Sequence, residues 1–281
     1  MDCKDFLRVL RHQRDNKVDG SVYKFVQCDF AYNSNHMEGS RLTQDQTRTI
    51  FESGTVSGNE VHVDDVSETR NHFRAFDYLL DNIDTKIDDQ FLFTLQRMLK
   101  EGTNDYHNPV MNVGGYKIAD NMIGDFVYTA HFEDVPQKMS QLLESYYAKQ
   151  EHSFDDLLNF HEKFEKIHPF SDGNGRVGRL VLFKECFAND ILPFIITEDL
   201  RPFYIRGLQN WDKEKGYLRD TCLTAQDRME ARYLPLAKSY LDALERCAAK
   251  PLDEIAADKA KVSRLVNESK EPADKEIDVN R

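Results

Sequence analysis

Apolar residues recur every three or four positions along most of this chain, the period of a helix with one face against a core. Residues 4–14 predict a short amphipathic helix. Residues 41–52 predict the start of another, with Thr43 as its N-cap. Residues 66–82 carry Val66, Phe73, Phe76, Leu79 and Leu80 at helical spacing, and residues 88–100 predict a further helix stopped near Gly102. Helices are expected again at 134–149 and 154–167. In the second, Leu157, Leu158, His161, Phe164 and Ile167 share one face, and Pro169 ends it. The next starts near Gly175 and runs through Leu180, Leu182, Phe183 and Phe187; residues 199–211 and 221–247 also read as helical.

The period breaks in three places. Residues 54–65 hold two glycines and read as loop. Residues 102–125 hold Gly102, Pro109, Gly114, Gly115 and Gly124 with Val113, Tyr116 and Ile118 between them, which reads as loop plus a short β-hairpin. Residues 250–281 are polar and lack aromatics, as expected of a loosely packed helix followed by a mobile tail. There is no internal repeat. The expectation is an all-α helical bundle with one small hairpin.

Composition narrows the function. A hydrophobic content of 40% and a charged content of 31% over 281 residues suit a soluble globular protein with a core. A net charge of −12 argues against nonspecific nucleic-acid binding, which needs a basic footprint, but leaves room for a local basic pocket. The five cysteines, Cys3, Cys28, Cys186, Cys222 and Cys247, are scattered and form no C-x-x-C pair. Neither a disulfide framework nor a zinc site is expected, which fits a cytoplasmic location. The charged N-terminus has no signal-peptide core, and no segment approaches the roughly 18 apolar residues of a membrane span.

The richest chemistry lies in nine consecutive positions, His168-Pro-Phe-Ser-Asp172-Gly-Asn-Gly-Arg176. A loop becomes a helix here. Glycines let backbone amides approach an anion, and a helix N-terminus favours negative charge. Arg176 and Arg179 lie three apart, so both can face one anion; forked guanidinium donors suit phosphate oxygens. Asp172 is a carboxylate suited to Mg²⁺ beside substrate phosphates. His168 is placed to take a proton from a hydroxyl. Singly, each residue is more often a turn, a core histidine or a solvated arginine; together they point to phosphate chemistry.

The string HPFSDGNGR matches the Fic family signature, HPFx(D/E)GN(G/K)R, at every specified position. Residues 68–80, 114–127 and 203–227 also resemble that family, so the likeness covers roughly residues 30–245. The resemblance implies the Fic fold and transfer of AMP from ATP to a Ser, Thr or Tyr hydroxyl of a target protein, with the chain itself among the candidate targets and self-association left open. By position, His168 would be the general base and Asp172 would hold Mg²⁺. Asn174 and the Gly173 and Gly175 backbone would meet the α-phosphate, and Arg176 and Arg179 the β- and γ-phosphates. Gly175 stands where phosphorylating relatives carry lysine, which favours AMP transfer. Residues Tyr116 to Val127 would form a target-docking flap, with Asn121, Met122, Ile123 and Gly124 near the site. Tyr204 and Trp211 would border the adenine pocket. The implied organisation is an N-terminal region at 1–65, a core at 66–215, C-terminal helices at 216–250 and a tail at 251–281.

Ser34-Asn-His-Met-Glu38-Gly39 matches the family's inhibitory pattern (S/T)xxxE(G/N). Read alone, Glu38 is a surface charge on a short helix of about 31–39. Beside the full signature it implies an inhibitor: Glu38 pairs with Arg179 and takes the γ-phosphate's partner, while Gly39 ends the helix. Two other readings remain open at this stage, a de-AMPylating enzyme in which Glu38 places water, and a non-catalytic nucleotide-binding module.

Overall fold

Helix starts in this chain follow local chemistry. Asp2, Ser21, Thr43, Asp88 and Ser153 each accept a hydrogen bond from the amide three residues on, which satisfies one orphan donor of the first turn. They open α1 (Cys3–Asp15), α2 (Val22–Met37), α3 (Gln44–Ser53), α5 (Asp89–Lys100) and α7 (Phe154–Ile167). The remaining helices are α4 (Val63–Asp81), α6 (Val135–Tyr147), α8 (Asn174–Ala188), α9 (Arg201–Asn210) and α10 (Gly216–Ala248). Strands β1 (Met122–Ile123) and β2 (Val127–Tyr128) pair antiparallel, with Met122 opposite Tyr128 and Ile123 opposite Val127. This computed structural model describes residues 1–58, 61–123 and 127–248. It divides into two compact units, Met1–Lys238 and Ser239–Arg281. Of the second, only the end of α10 lies within the described residues.

The first unit is built around α8, which is buried from Asn174 to Phe187, as a helix with neighbours on all sides must be. Helices α1, α2, α4, α5 and α7 all pack on it. Phe183 of α8 stacks on Phe30 of α2 at 5.0 Å and meets Phe76 of α4 edge-on at 5.4 Å. Such aromatic pairs add about 0.5–1.5 kcal/mol each beyond the area they bury. The motif therefore sits on the most enclosed helix of the unit.

Three boundaries differ from the sequence expectation. Helix α2 starts at Val22 rather than near residue 31. Its buried polar residues Gln27, Asp29, Asn33 and Asn35 blur the apolar period. Helix α4 begins at Val63, inside the segment expected to be loop. The hairpin begins at Met122 and not at Tyr116; the Tyr116 ring instead packs 4.8 Å from Phe93 and 6.3 Å from Phe170. The expected tail at 250–281 lies outside the described residues, as does Gly124. All five cysteines are free thiols. No described helix is long and apolar enough to cross a membrane.

Candidate active site

Helix α7 stops because of Pro169. The residue before a proline is pushed out of the α region, and His168 takes a left-handed conformation with φ 55°. The loop that follows is clamped on both sides. Lys117 N donates to the Pro169 carbonyl at 2.8 Å. Phe170 N donates to Asn174 Oδ1 at 2.7 Å, and Asn174 Nδ2 donates back to the Phe170 carbonyl at 2.8 Å. The Asn174 side chain is thus a brace for the loop, which leaves its main chain for any anion. Gly173 then opens α8 at φ 86°, with no side chain capping the helix.

His168 lies at the loop's start. Its Nδ1 is 3.4 Å from the Glu165 carbonyl. A proton on Nδ1 serves that acceptor and leaves Nε2 free to accept one. Burial pushes the imidazole pKa down to about 4, so the ring is neutral at pH 7.

Arg176 is tied to the core. Its Nη1 is 2.6 Å from Glu68 Oε2 and its Nη2 is 3.0 Å from Asp172 Oδ2. Lys100, at the end of α5, meets the same two carboxylates: its Nζ is 2.5 Å from Asp172 Oδ2 and 2.7 Å from Glu68 Oε1. Burial alone would raise the Asp172 pKa, but Arg176 and Lys100 outweigh it and bring it down to about 2. Neither Glu68 nor Lys100 is part of the sequence motif.

Arg179 meets the C-terminal end of α2. Its Nε donates to Ser34 Oγ at 3.1 Å, and its Nη2 donates to the Ser34 carbonyl at 2.9 Å and to Glu38 Oε1 at 2.7 Å. The arginine is buried, whereas the Glu38 side chain is 29% exposed. Burial would raise the Glu38 pKa; Arg179 and Arg176 hold it below the usual carboxylate value. Gly39 follows at φ 99°, a backbone that glycine adopts at little cost. Gly175 makes the pairing sterically possible. A Cβ there would lie 2.2 Å from Glu38 Oε1 and 2.7 Å from Arg179 Nη1.

Behind Arg179 lies a second carboxylate that the sequence motif does not include. Glu165 is held near His161, 3.9 Å from its Nε2. Burial pushes its pKa up to about 8, with Arg179 opposing and Glu38 adding to the shift. His161 in turn meets Tyr204 Oη at 2.5 Å. Tyr204 is therefore a buried core post, and so is Trp211, whose Nε1 donates to Asn159 Oδ1 at 3.1 Å. Asn121 lies against the motif loop. Its Nδ2 donates to the Phe170 carbonyl at 3.0 Å, and its Oδ1 accepts from Lys117 Nζ at 2.7 Å. It anchors the hairpin to the motif loop.

The magnesium ion implied for Asp172 would find a sparse donor set. Among the described residues no group of three or more His, Cys, Asp or Glu gathers as metal ligands. Asp172 Oδ2 already serves two cations, while its side chain is 38% exposed. That suits a hard cation taking one carboxylate and completing its shell with phosphate oxygens and water.

Residues 86–185 match the Fic/DOC family. A protein adenylyltransferase Fic from Drosophila willistoni is 28% identical over 192 residues, 63% of this chain and 35% of that protein; the chain thus spans about a third of that relative's length. A Fic domain containing signaling protein from Bacteroides thetaiotaomicron has a similar structure, with TM-score 0.60 and 22% identity over 86% of this chain and 93% of that one. Fic-1 from C. elegans also does, with TM-score 0.60 and 21% identity over 83% of this chain and 71% of that one. The all-α bundle is the Fic fold, and residues 86–185 within it are similar to the Fic/DOC family.

Proposed function

We propose that this chain is a protein adenylyltransferase that transfers AMP from ATP to a side-chain hydroxyl and is held off by Glu38. The observation that carries the reading is the shared position of Arg179. It lies on the second turn of α8, three residues past Arg176, and it already holds a carboxylate at 2.7 Å.

In the active arrangement, neutral His168 accepts the target hydroxyl's proton at Nε2. The hydroxyl oxygen attacks the α-phosphorus, and pyrophosphate leaves. Amides of Gly173, Asn174 and Gly175 stabilise the α-phosphate oxygens, and the buried Arg176 and Arg179 take the β- and γ-phosphates. Gly175 keeps the approach to the α-phosphate open. Mg²⁺ held by Asp172 would supply charge neutralisation between the phosphates. Catalysis here is positioning and electrostatics. With Glu38 on Arg179 the γ-phosphate loses its partner, and the α-phosphate turns from in-line attack.

Incubation with ATP labelled at the α- or the γ-phosphate tests the reaction type. Label in protein from the α position alone, lost in His168→Ala, is the expected result. Label from the γ position would replace AMP transfer by phosphorylation, and no label even in Glu38→Gly would remove the enzyme reading.

A second reading has an observation of its own. Glu38 is partly open to solvent, and its charge acts on His168, which supports a role in placing water for AMP removal. Release of AMP from a pre-modified protein, lost in Glu38→Gln, is its test.

A further inference from the structure

Lys100 is an unusual occupant of its position. It is 3% exposed, and a buried ammonium needs full pairing. Its three N–H donors face three carboxylates: Asp172 Oδ2 at 2.5 Å, Glu68 Oε1 at 2.7 Å and Asp105 Oδ2 at 2.7 Å. Glu68 has no oxygen to spare, because Oε2 is on Arg176 at 2.6 Å. The motif carboxylate expected to receive a metal is therefore already neutralised from within.

We propose that Lys100 gates the divalent cation. It holds Asp172 while nucleotide is absent, so the motif binds no metal by itself, and metal enters only with nucleotide phosphates. This rests on the adenylyltransferase reading for the nucleotide, not for the lock. A dication approaching Asp172 meets a fixed ammonium and the Arg176 guanidinium on the same carboxylate, and repulsion from both lowers its affinity. The lock is releasable because Lys100 has two other partners. When phosphate oxygens bring a metal to Asp172, Lys100 keeps Glu68 and Asp105 and never becomes an unpaired buried charge. Lys100 is thus a residue that sets metal affinity and the order of binding.

The test is Mn²⁺ binding to the nucleotide-free full chain, followed by the electron paramagnetic resonance signal of free Mn²⁺. Wild type is expected to bind weakly. Lys100→Met is expected to bind at least tenfold more tightly, and Lys100→Met with Asp172→Asn is expected to lose that gain. Tight Mn²⁺ binding by nucleotide-free wild type overturns the proposal. So does unchanged affinity in a Lys100→Met chain that melts cooperatively, or a gain that survives Asp172→Asn. If Lys100→Met does not fold, Lys100→Gln carries the same expectation, and the wild-type measurement stands regardless. None of these readouts needs AMP transfer, so a failed gate and a failed transferase reading are told apart.

Discussion

Arg176 and Arg179 lie three residues apart on α8, and each is answered by a different set of carboxylates. Arg176 meets Glu68 and Asp172, which Lys100 also holds, in a network whose Glu68 side chain is 14% exposed. Arg179 meets Glu38, which is 29% exposed at the C-terminal end of α2. The first arrangement ties two buried cations to two shared carboxylates. The second joins two helices through a partner that can swing into solvent. The lesson is that sharing separates the two sites: Glu68 and Asp172 are each held by both Arg176 and Lys100, so removing one disturbs two buried cations, while the described ion pair of Glu38 is to Arg179.

The largest expected effect breaks both sides at once. His168→Ala should lower AMP incorporation by about 10²–10⁴-fold in a Glu38→Gly background, measured with labelled ATP; an unchanged rate would remove the base from the scheme. Next, Glu68→Gln should cost about 3–5 kcal/mol of stability by denaturant melting, because Arg176 loses a buried partner. Glu38→Gln should cost less than Glu68→Gln, because Glu38 is the more exposed carboxylate and Ser34 still meets Arg179. Equal costs would erase the distinction between the two arginines.

The smallest effect is a pH dependence. Burial lowers the pKa of His72 and His161 to about 3 and that of His168 to about 4. The unfolded chain protonates these rings near 6.5 and the folded chain does not, so stability should fall as pH drops from 6.5 toward 4. Glu165 acts in the other direction. It keeps its proton up to about pH 8 when folded but loses it near 4.5 when unfolded, so its contribution is full below 4.5 and lost as pH rises toward 8. Melting curves across pH should show both limbs, and Glu165→Gln should flatten only the alkaline one.

How far the sequence could be read follows from the range of each interaction. The α7–α8 junction was legible because Pro169, the glycines and the arginines act within one loop and one turn. The Ser34–Glu38 pair was legible from its spacing of four, and both residues do meet Arg179. Lys100 and Glu68 were not. Lys100 reads as an ordinary basic residue in the last turn of a helix, where the dipole favours it. Glu68 reads as a solvated charge on α4. Only packing brings them to Asp172, across 72 residues in one case. Tyr204 and Trp211 were ambiguous for the opposite reason: aromatic residues on helices look alike in sequence whether they border a ligand or fill the core, and both are buried here.

The central claim is that Glu38 restrains a complete catalytic centre by occupying Arg179. Its most direct test is the ratio of AMP incorporation from α-labelled ATP between Glu38→Gly and wild type at equal protein and Mg²⁺. Misplacement of a reacting group by about 1 Å costs on the order of a hundredfold, so the account predicts a rise of that size on removing Glu38. A Glu38→Gly chain that folds, retains His168 and Arg179, and labels no faster than wild type would contradict it.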